Sequence, residues 1–486
     1  MSGHSGKLLR HTLLYIPAQF LPSLVQFATT VLWTHLLDPA AFGLATFVIA
    51  AQEIAAVLGL TPWSLFVLRF RARYEDQDER FRLMDNRMAL CASAIQLLLA
   101  GGVLSIIAAP ISLRLYAATA AYLVARMLLT HYGEWARADH AIGAYTSAQL
   151  IGSCAGAALS IAAILAFGPT PEAALAGQAL GQLAALVALF RQAGLKFRLG
   201  VFDAALFGEL MRYGAPIVIS GVVGWGAGNI IRLIVQYGEG AVALGLLSVG
   251  WGLGQRLASV LAMLLTAAAY PLAVRHLESG DRQGALAQVS LNGVLLFGLL
   301  APALVGAALV ARPLVTLLIA EDFRAATIAI LPVAMFAACV RYLRLHVADQ
   351  TMLLLERTDL SMKITIVETL VNSALCALGL HFGGLYGAAL GMAAGTTLAA
   401  LGAFAYAFVG LGLPAPAPAV ALRIVFATAA MGLVLRLTPE PETAAALAAL
   451  ICAGAAVYAT AILLTFKACR ELLSQRLRRS ARASAL

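Results

Sequence analysis

Five arginines and three acids stand well inside long apolar stretches of this chain: Arg126, Arg232, Arg256, Arg341, Arg344, Glu53, Asp349 and Glu368. At the centre of a bilayer each costs about 2.5 to 3.5 kcal/mol on insertion scales, so each needs a partner or a watery cavity, and each is a functional candidate. Cations dominate. Arg341 and Arg344 are three residues apart and share a helix face, with His346 following and Asp349 nearer the inner surface. The chemistry such a set offers is electrostatic. Guanidinium forks grip phosphate with paired bonds, while Glu53, Glu368 or Asp349 serve as proton or cation sites or neutralise the arginines. Simpler readings stay open: Arg344 snorkels to the surface, Arg126 sits near a helix end, and Arg232 bridges two helices. His131, His346 and His381 have no partner constellation and read as interfacial or core histidines.

The elements that must position these residues are about fourteen apolar stretches between Leu13 and Phe466. The expected spans are 12–36, 42–64, 88–110, 113–133, 145–167, 173–192, 213–237, 244–270, 287–310, 326–352, 363–382, 385–409, 419–437 and 443–466. A hydrocarbon core takes roughly 20 helical residues to cross and offers the backbone no water, so such stretches span as helices. With 61% hydrophobic and 12% charged residues, far from the roughly 25% charged of a soluble domain, the 486-residue chain is read as an all-α polytopic membrane protein with little outside the bilayer. The first span carries no small-residue cleavage site and is expected to be retained as helix one.

Placing the N-terminus in the cytoplasm leaves only Arg114, Arg312, Arg324 and Arg436 on the opposite side and five arginines within spans; the other 24 of the 33 Lys and Arg fall on the cytoplasmic side. By the positive-inside rule both termini are cytoplasmic. Topology and attraction to anionic headgroups account for the net charge of +9, so no nucleic-acid partner is implied. The runs Arg69 to Arg87 and Lys467 to Arg482 interleave Arg with apolar residues and read as amphipathic helices on the inner surface.

Other chemistry is excluded by what the loops lack. No outer loop exceeds about fifteen residues, which leaves no room for a catalytic domain, and no Gly-rich loop precedes a Lys-Ser/Thr pair. The chain is therefore expected not to be an enzyme and to need no cofactor or metal. Cys91, Cys154, Cys339, Cys376, Cys452 and Cys469 are scattered singly and read as free thiols. The Gly-rich stretches 221–228 and 383–395 lie within spans, where glycine lets helices approach or bend.

A faint internal repeat runs at an offset near 200 residues. Tyr15-Ile16-Pro17 with the turn Leu37-Asp38-Pro39 and Gly43-Leu44 is echoed by Tyr213-Gly214-Ala215-Pro216 and then Gly238 to Ala243 with Leu244-Gly245. The pattern predicts two pseudo-symmetric six-helix lobes, residues 1–200 and 201–412, around a central cavity. Two further helices (413–466) follow the link Pro414-Ala415-Pro416-Ala417-Pro418, and a basic cytoplasmic tail (467–486) closes the chain.

Taken in order, Leu36-Leu37-Asp38-Pro39, Phe42-Gly43-Leu44, Arg212-Tyr213-Gly214-Ala215-Pro216, Ile231-Arg232-Leu233-Ile234, Ala243-Leu244-Gly245, Tyr270-Pro271 and Gly383-Gly384-Leu385-Tyr386-Gly387-Ala388-Ala389 resemble the bacterial polysaccharide flippases, over residues 8 to 410. These belong to the superfamily that also holds the multidrug extruders. The resemblance implies alternating-access transfer of an undecaprenyl-diphosphate-linked oligosaccharide across the bacterial inner membrane, with lipids and the polysaccharide polymerase or export machinery as partners. It also implies a cationic lumen for the diphosphate, to which Arg232, Arg256, Arg341, Arg344 and Arg126 would contribute. Ile231 stands where the family usually has the Asp of an Asp-Arg pair, which puts ion coupling in question. The membrane potential alone favours outward transfer of two negative charges by about 4 to 5 kcal/mol per 100 mV. A multidrug-type cation antiporter should hold central acids instead, and a non-catalytic subunit of a polysaccharide synthase would share the topology.

Overall fold

The computed structural model describes residues 21–107, 111–198, 200, 202–467 and 470–471. Lys7, Arg10, Tyr15-Ile16-Pro17, Cys469 and the basic tail beyond Glu471 lie outside the described residues. Within them the chain is all-α, with no strand. It divides into two compact units, residues 1–249 with 369–388, and residues 250–368 with 389–486.

The first unit opens with α1 (21–36) and α2 (Pro39–Gly59), joined by a turn whose Asp38 carboxylate accepts from the Ala41 N–H while Pro39 takes the first helical position. A short break at Leu60 leads to α3 (Thr61–Phe70). Then come α4 (Asp78–Ile107), α5 (Leu113–Ala138), α6 (Ile142–Phe167) and α7 (Pro171–Ala193). Thr170 caps α7, and Gly194 ends it in the left-handed conformation that favours glycine. The run from Arg69 does not lie on the membrane as one amphipathic helix. Arg71–Gln77 is a tight 3-10 segment, and α4 has begun by Asp78. Phe81 and Met84 are buried against Trp63, Phe66 and Trp135, because the aromatic core there offers more apolar contact than a headgroup layer does. Arg71 and Arg82 stack over the Trp135 ring and pair with Asp78 and Asp139, which fastens this segment to the end of α5.

Two helices are longer than a bilayer needs, α8 (Ala204–Glu278) and α13 (Thr358–Ala405). Each is broken where the sequence places a loop between two spans: α8 at Gly240 (φ +82°), α13 at Gly383 and Gly384 (φ +55° at Gly384). Ten of the described helices are long and apolar enough to cross a membrane. Counting both halves of α8 and α13, and adding α1 and the less apolar α5 with its Arg126 and His131, gives the expected number of about fourteen.

Within the first unit, α2 and α8 cross at two glycines. A Cβ on Gly245 would strike the carbonyl of Pro39, and one on Gly43 would lie 2.5 Å from the carbonyl of Ala241. Pro39 and Ala241 stand 202 residues apart, as do Gly43 and Gly245, so the contact is reciprocal, as a two-fold relation between repeats requires.

The second unit holds the rest of α8, then α9 (Arg282–Leu309), α10 (Ala311–Leu318), α11 (Glu321–Leu343), α12 (Gln350–Leu354), most of α13, α14 (Pro418–Leu437) and α15 (Ala444–Thr465). Asp281 caps α9 through the Gly284 N–H. Leu296, Leu300, Met335, Ala338 and Cys339 pack between α9 and α11. The α14–α15 pair is tied to α9 by the Tyr458 hydroxyl, which donates to the Gly298 carbonyl at 2.6 Å. Between α11 and α12 the chain widens into a π-helical segment, Arg344–Asp349.

Candidate functional site

The candidate residues assemble into two sets, one in each unit. In the first unit Glu53 on α2 faces open space, and Arg126 on α5 and Arg232 on α8 both act on it electrostatically. Neither arginine closes to ion-pair distance of Glu53. Arg126 Nη1 donates to Gln182 Oε1 at 3.2 Å, and Gln182 is itself anchored by donating to the Gly152 carbonyl. Arg232 Nη1 donates to Ser248 Oγ at 3.3 Å, and its buried Nε has no hydrogen-bond partner among the described residues. Two cations therefore share the field of one carboxylate, each hydrogen-bonded to a neutral partner, which leaves a net positive charge. A buried guanidinium with spare donors is a receptor for an anion.

In the second unit the acids are closer. Arg341 Nη1 donates to Glu368 Oε1 at 3.0 Å, Arg344 Nη1 lies 2.8 Å from Glu368 Oε2, and Arg344 Nη2 lies 3.4 Å from Asp349 Oδ2. Glu368 is fully buried and the Arg344 side chain is 1% exposed, whereas Arg341 keeps 17% of its side chain open. Two positive and two negative side chains balance here. Arg344 does not snorkel, for its guanidinium is enclosed by carboxylates. Arg256 sits half-buried on the second half of α8, with its carbonyl accepting from Ser259.

One constellation escaped the sequence reading. His131, expected to lack partners, lies 2.8 Å from Ser64 Oγ through Nδ1 and 3.0 Å from Asp85 Oδ1 through Nε2, and Trp63 donates to the same carboxylate. Next to it the Tyr132 hydroxyl donates to Asn86, whose amide donates to the carbonyl of Arg198. The order Ser–His–Asp is that of a hydrolase triad, yet Ser64, Asp85 and His131 are all buried among Trp63, Phe81 and Met84, so no substrate reaches them. Their role is to clamp α3, α4 and α5. No spacing signals this, because the three residues come from three separate helices.

Residues 8–276 match the family described as "Polysaccharide biosynthesis protein". No curated protein matches the sequence. Among solved structures the fold is similar to that of the lipid II flippase MurJ in an inward closed conformation, with a TM-score of 0.75 at 14% identity over 95% of this chain and 100% of that one. It is also similar to a multidrug resistance MATE family transporter of the MOP superfamily in its inward-facing conformation (TM-score 0.63, 16% identity, 85% of this chain and 97% of that one). A third is a MOP superfamily transporter from Pyrococcus furiosus described as having a binding pocket of reverse polarity (TM-score 0.57, 16% identity, 83% of this chain and 95% of that one). At these identities the likenesses establish the fold, and the sequence match over more than half of the chain establishes the family: this multi-pass membrane protein belongs to the polysaccharide biosynthesis protein family.

Proposed function

We propose that the protein is a flippase that carries an undecaprenyl-diphosphate-linked oligosaccharide from the inner to the outer leaflet of the bacterial inner membrane, for surface or secreted polysaccharide. The observation that carries this reading is the excess of cation in the first unit, where Arg126 and Arg232 oppose the single carboxylate of Glu53 without pairing to it. A diphosphate lipid supplies two negative charges, and a guanidinium recognises phosphate with a planar fork that a lysine lacks. Arg126 and Arg232 in the first unit, and separately Arg341 in the second, are each assigned to contact with the head group during its passage, with Arg256 as a further cation of the second unit. Glu53 tempers the affinity, so that the anion is released as well as bound. Alternating access of the expected lobes, residues 1–200 and 201–412, exchanges the two leaflets, with both termini in the cytoplasm. With Ile231 in place of the family's acid, the membrane potential drives the outward step.

The cation antiport of the multidrug relatives would call for a surplus of acid at this place, and Glu53 stands alone against two arginines. Deletion of the gene, in a strain without paralogues, tests the proposal. Lipid-linked repeat units should be made but remain in the inner leaflet, with mature polysaccharide lost. Undiminished polymer would end the reading.

A further inference from the structure

Four ionisable side chains of the second unit form a line of alternating charge, Arg341, Glu368, Arg344, Asp349. Glu368 is divided between two guanidiniums and Arg344 between two carboxylates. The three links differ in kind. Arg341 to Glu368 is a hydrogen bond. Arg344 lies at ion-pair distance from Glu368, but its nitrogens point off the line a hydrogen bond needs, and its Nε has no hydrogen-bond partner among the described residues. That link is Coulombic rather than a directed hydrogen bond. The third depends on the π-helical segment. Arg344 and Asp349 are five residues apart, about 140° round an α-helix, and only the wider turn, which closes at i+5, brings them to one side.

We infer that Glu368 is an internal anion that competes with the ligand for Arg341, and that Arg344 and Asp349 are positioning residues that set how strongly it competes. The inference rests on the reading above that Arg341 meets an anionic head group. In a line of alternating charges, weakening one link strengthens the next. Replacing Asp349 turns Arg344 wholly to Glu368, which loosens Glu368 from Arg341 and frees the fork. Replacing Arg344 does the reverse, leaving Glu368 with Arg341 as its one partner. Removing the charge of Glu368 takes away the competitor, while the amide of Gln still accepts from Arg341 and keeps it placed.

The test uses the full-length protein in lipid nanodiscs, with undecaprenyl diphosphate as the probe and uncharged undecaprenol as the control. Asp349→Asn and Glu368→Gln should each tighten diphosphate binding about threefold to tenfold, and Arg344→Gln should weaken it by a similar factor, the range expected for coupled neighbours. Undecaprenol binding should be unchanged in all three. Arg341→Gln should lose most of the diphosphate-dependent affinity. If it does not, Arg341 is not a head-group residue and the functional reading fails at that residue. If Arg341→Gln loses binding but the other variants all weaken it in step with their thermal stability, the network is only structural and this inference is overturned. Single removal of a buried charge carries a folding cost. Asp349→Asn and the charge-balanced double variant Arg344→Gln/Glu368→Gln therefore decide the matter: both should bind tighter than wild type, and no gain in either refutes the inference.

Discussion

Replacing Gly245 with Ala should destabilise the first unit far more than one methyl group ordinarily does. The new Cβ would land on the carbonyl of Pro39, an atom of the first turn of α2 that cannot rotate aside, so the two helices must separate at their crossing. Overpacking against a rigid backbone costs about 1 to 3 kcal/mol, and here the upper half of that range applies because no flexible side chain can yield. Against it stands the usual gain of about 0.5 to 1 kcal/mol for Gly→Ala within a helix. Gly224, on the same helix with nothing within 4 Å of its would-be Cβ, receives that gain alone and is the control. Thermal unfolding of the purified protein in detergent reads both. The net cost is then about 1 to 2.5 kcal/mol, and at about 2 °C per kcal/mol for a unit of this size Gly245→Ala should lower the midpoint by roughly 2 to 5 °C while Gly224→Ala should leave it level or raise it. Equal midpoints would refute the reciprocal crossing of α2 and α8.

His131→Leu leaves the Asp85 carboxylate buried beside Trp63 without its imidazole partner, a loss of about 3 kcal/mol, and adding Asp85→Asn should recover part of it; no recovery would mean that the two residues do not act as a pair. Asp203, at the start of α8, has its carboxyl held below the usual range by the backbone N–H of Leu206 and then by Arg80, working against burial. Its contribution is therefore complete above the pH where an unfolded Asp titrates, about 4, and is lost as pH falls through the lower, folded value. Asp203→Asn should flatten the acid limb of a stability–pH curve and cost at most about 1 kcal/mol at neutral pH, because Asn caps a helix about as well as Asp but gives up the charge that faces Arg80. Reporter fusions at Lys196 and in the C-terminal tail should read as cytoplasmic and those at Glu239 and Asp322 as external. An external tail would mean that the number of crossings is odd.

The span pattern was legible because lipid imposes one rule on every crossing, and even the breaks at Gly240 and Gly383-Gly384 fell in the gaps between apolar runs. The offset near 200 residues was legible too, and it reappears as the paired contacts of Gly43 and Gly245. What one dimension hides is which helices face each other. The run from Arg69 to Arg87 carries the composition of a surface helix, yet Phe81 and Met84 find an aromatic core to enter. His131 looked solitary until α4, which carries Asp85, and α5 were brought side by side. The arginines were visible as a class, but their division was not. Arg126 and Arg232 rest on amide and hydroxyl groups, while Arg344 is locked between carboxylates by a π-helical turn that no residue pattern announces.

The central claim is that the arginines of the first unit serve an anionic lipid carrier. Its most direct test is flipping by the full-length protein in proteoliposomes that carry an undecaprenyl-diphosphate oligosaccharide, scored by the fraction of glycan exposed to an enzyme on one side. Wild type should equalise or invert the distribution under an imposed membrane potential. Arg232→Ala and Arg126→Ala should lose the activity while remaining folded, and Arg232→Lys should keep only part of it, having the charge without the fork. Flipping by Arg232→Ala and Arg126→Ala at the wild-type rate would contradict the account.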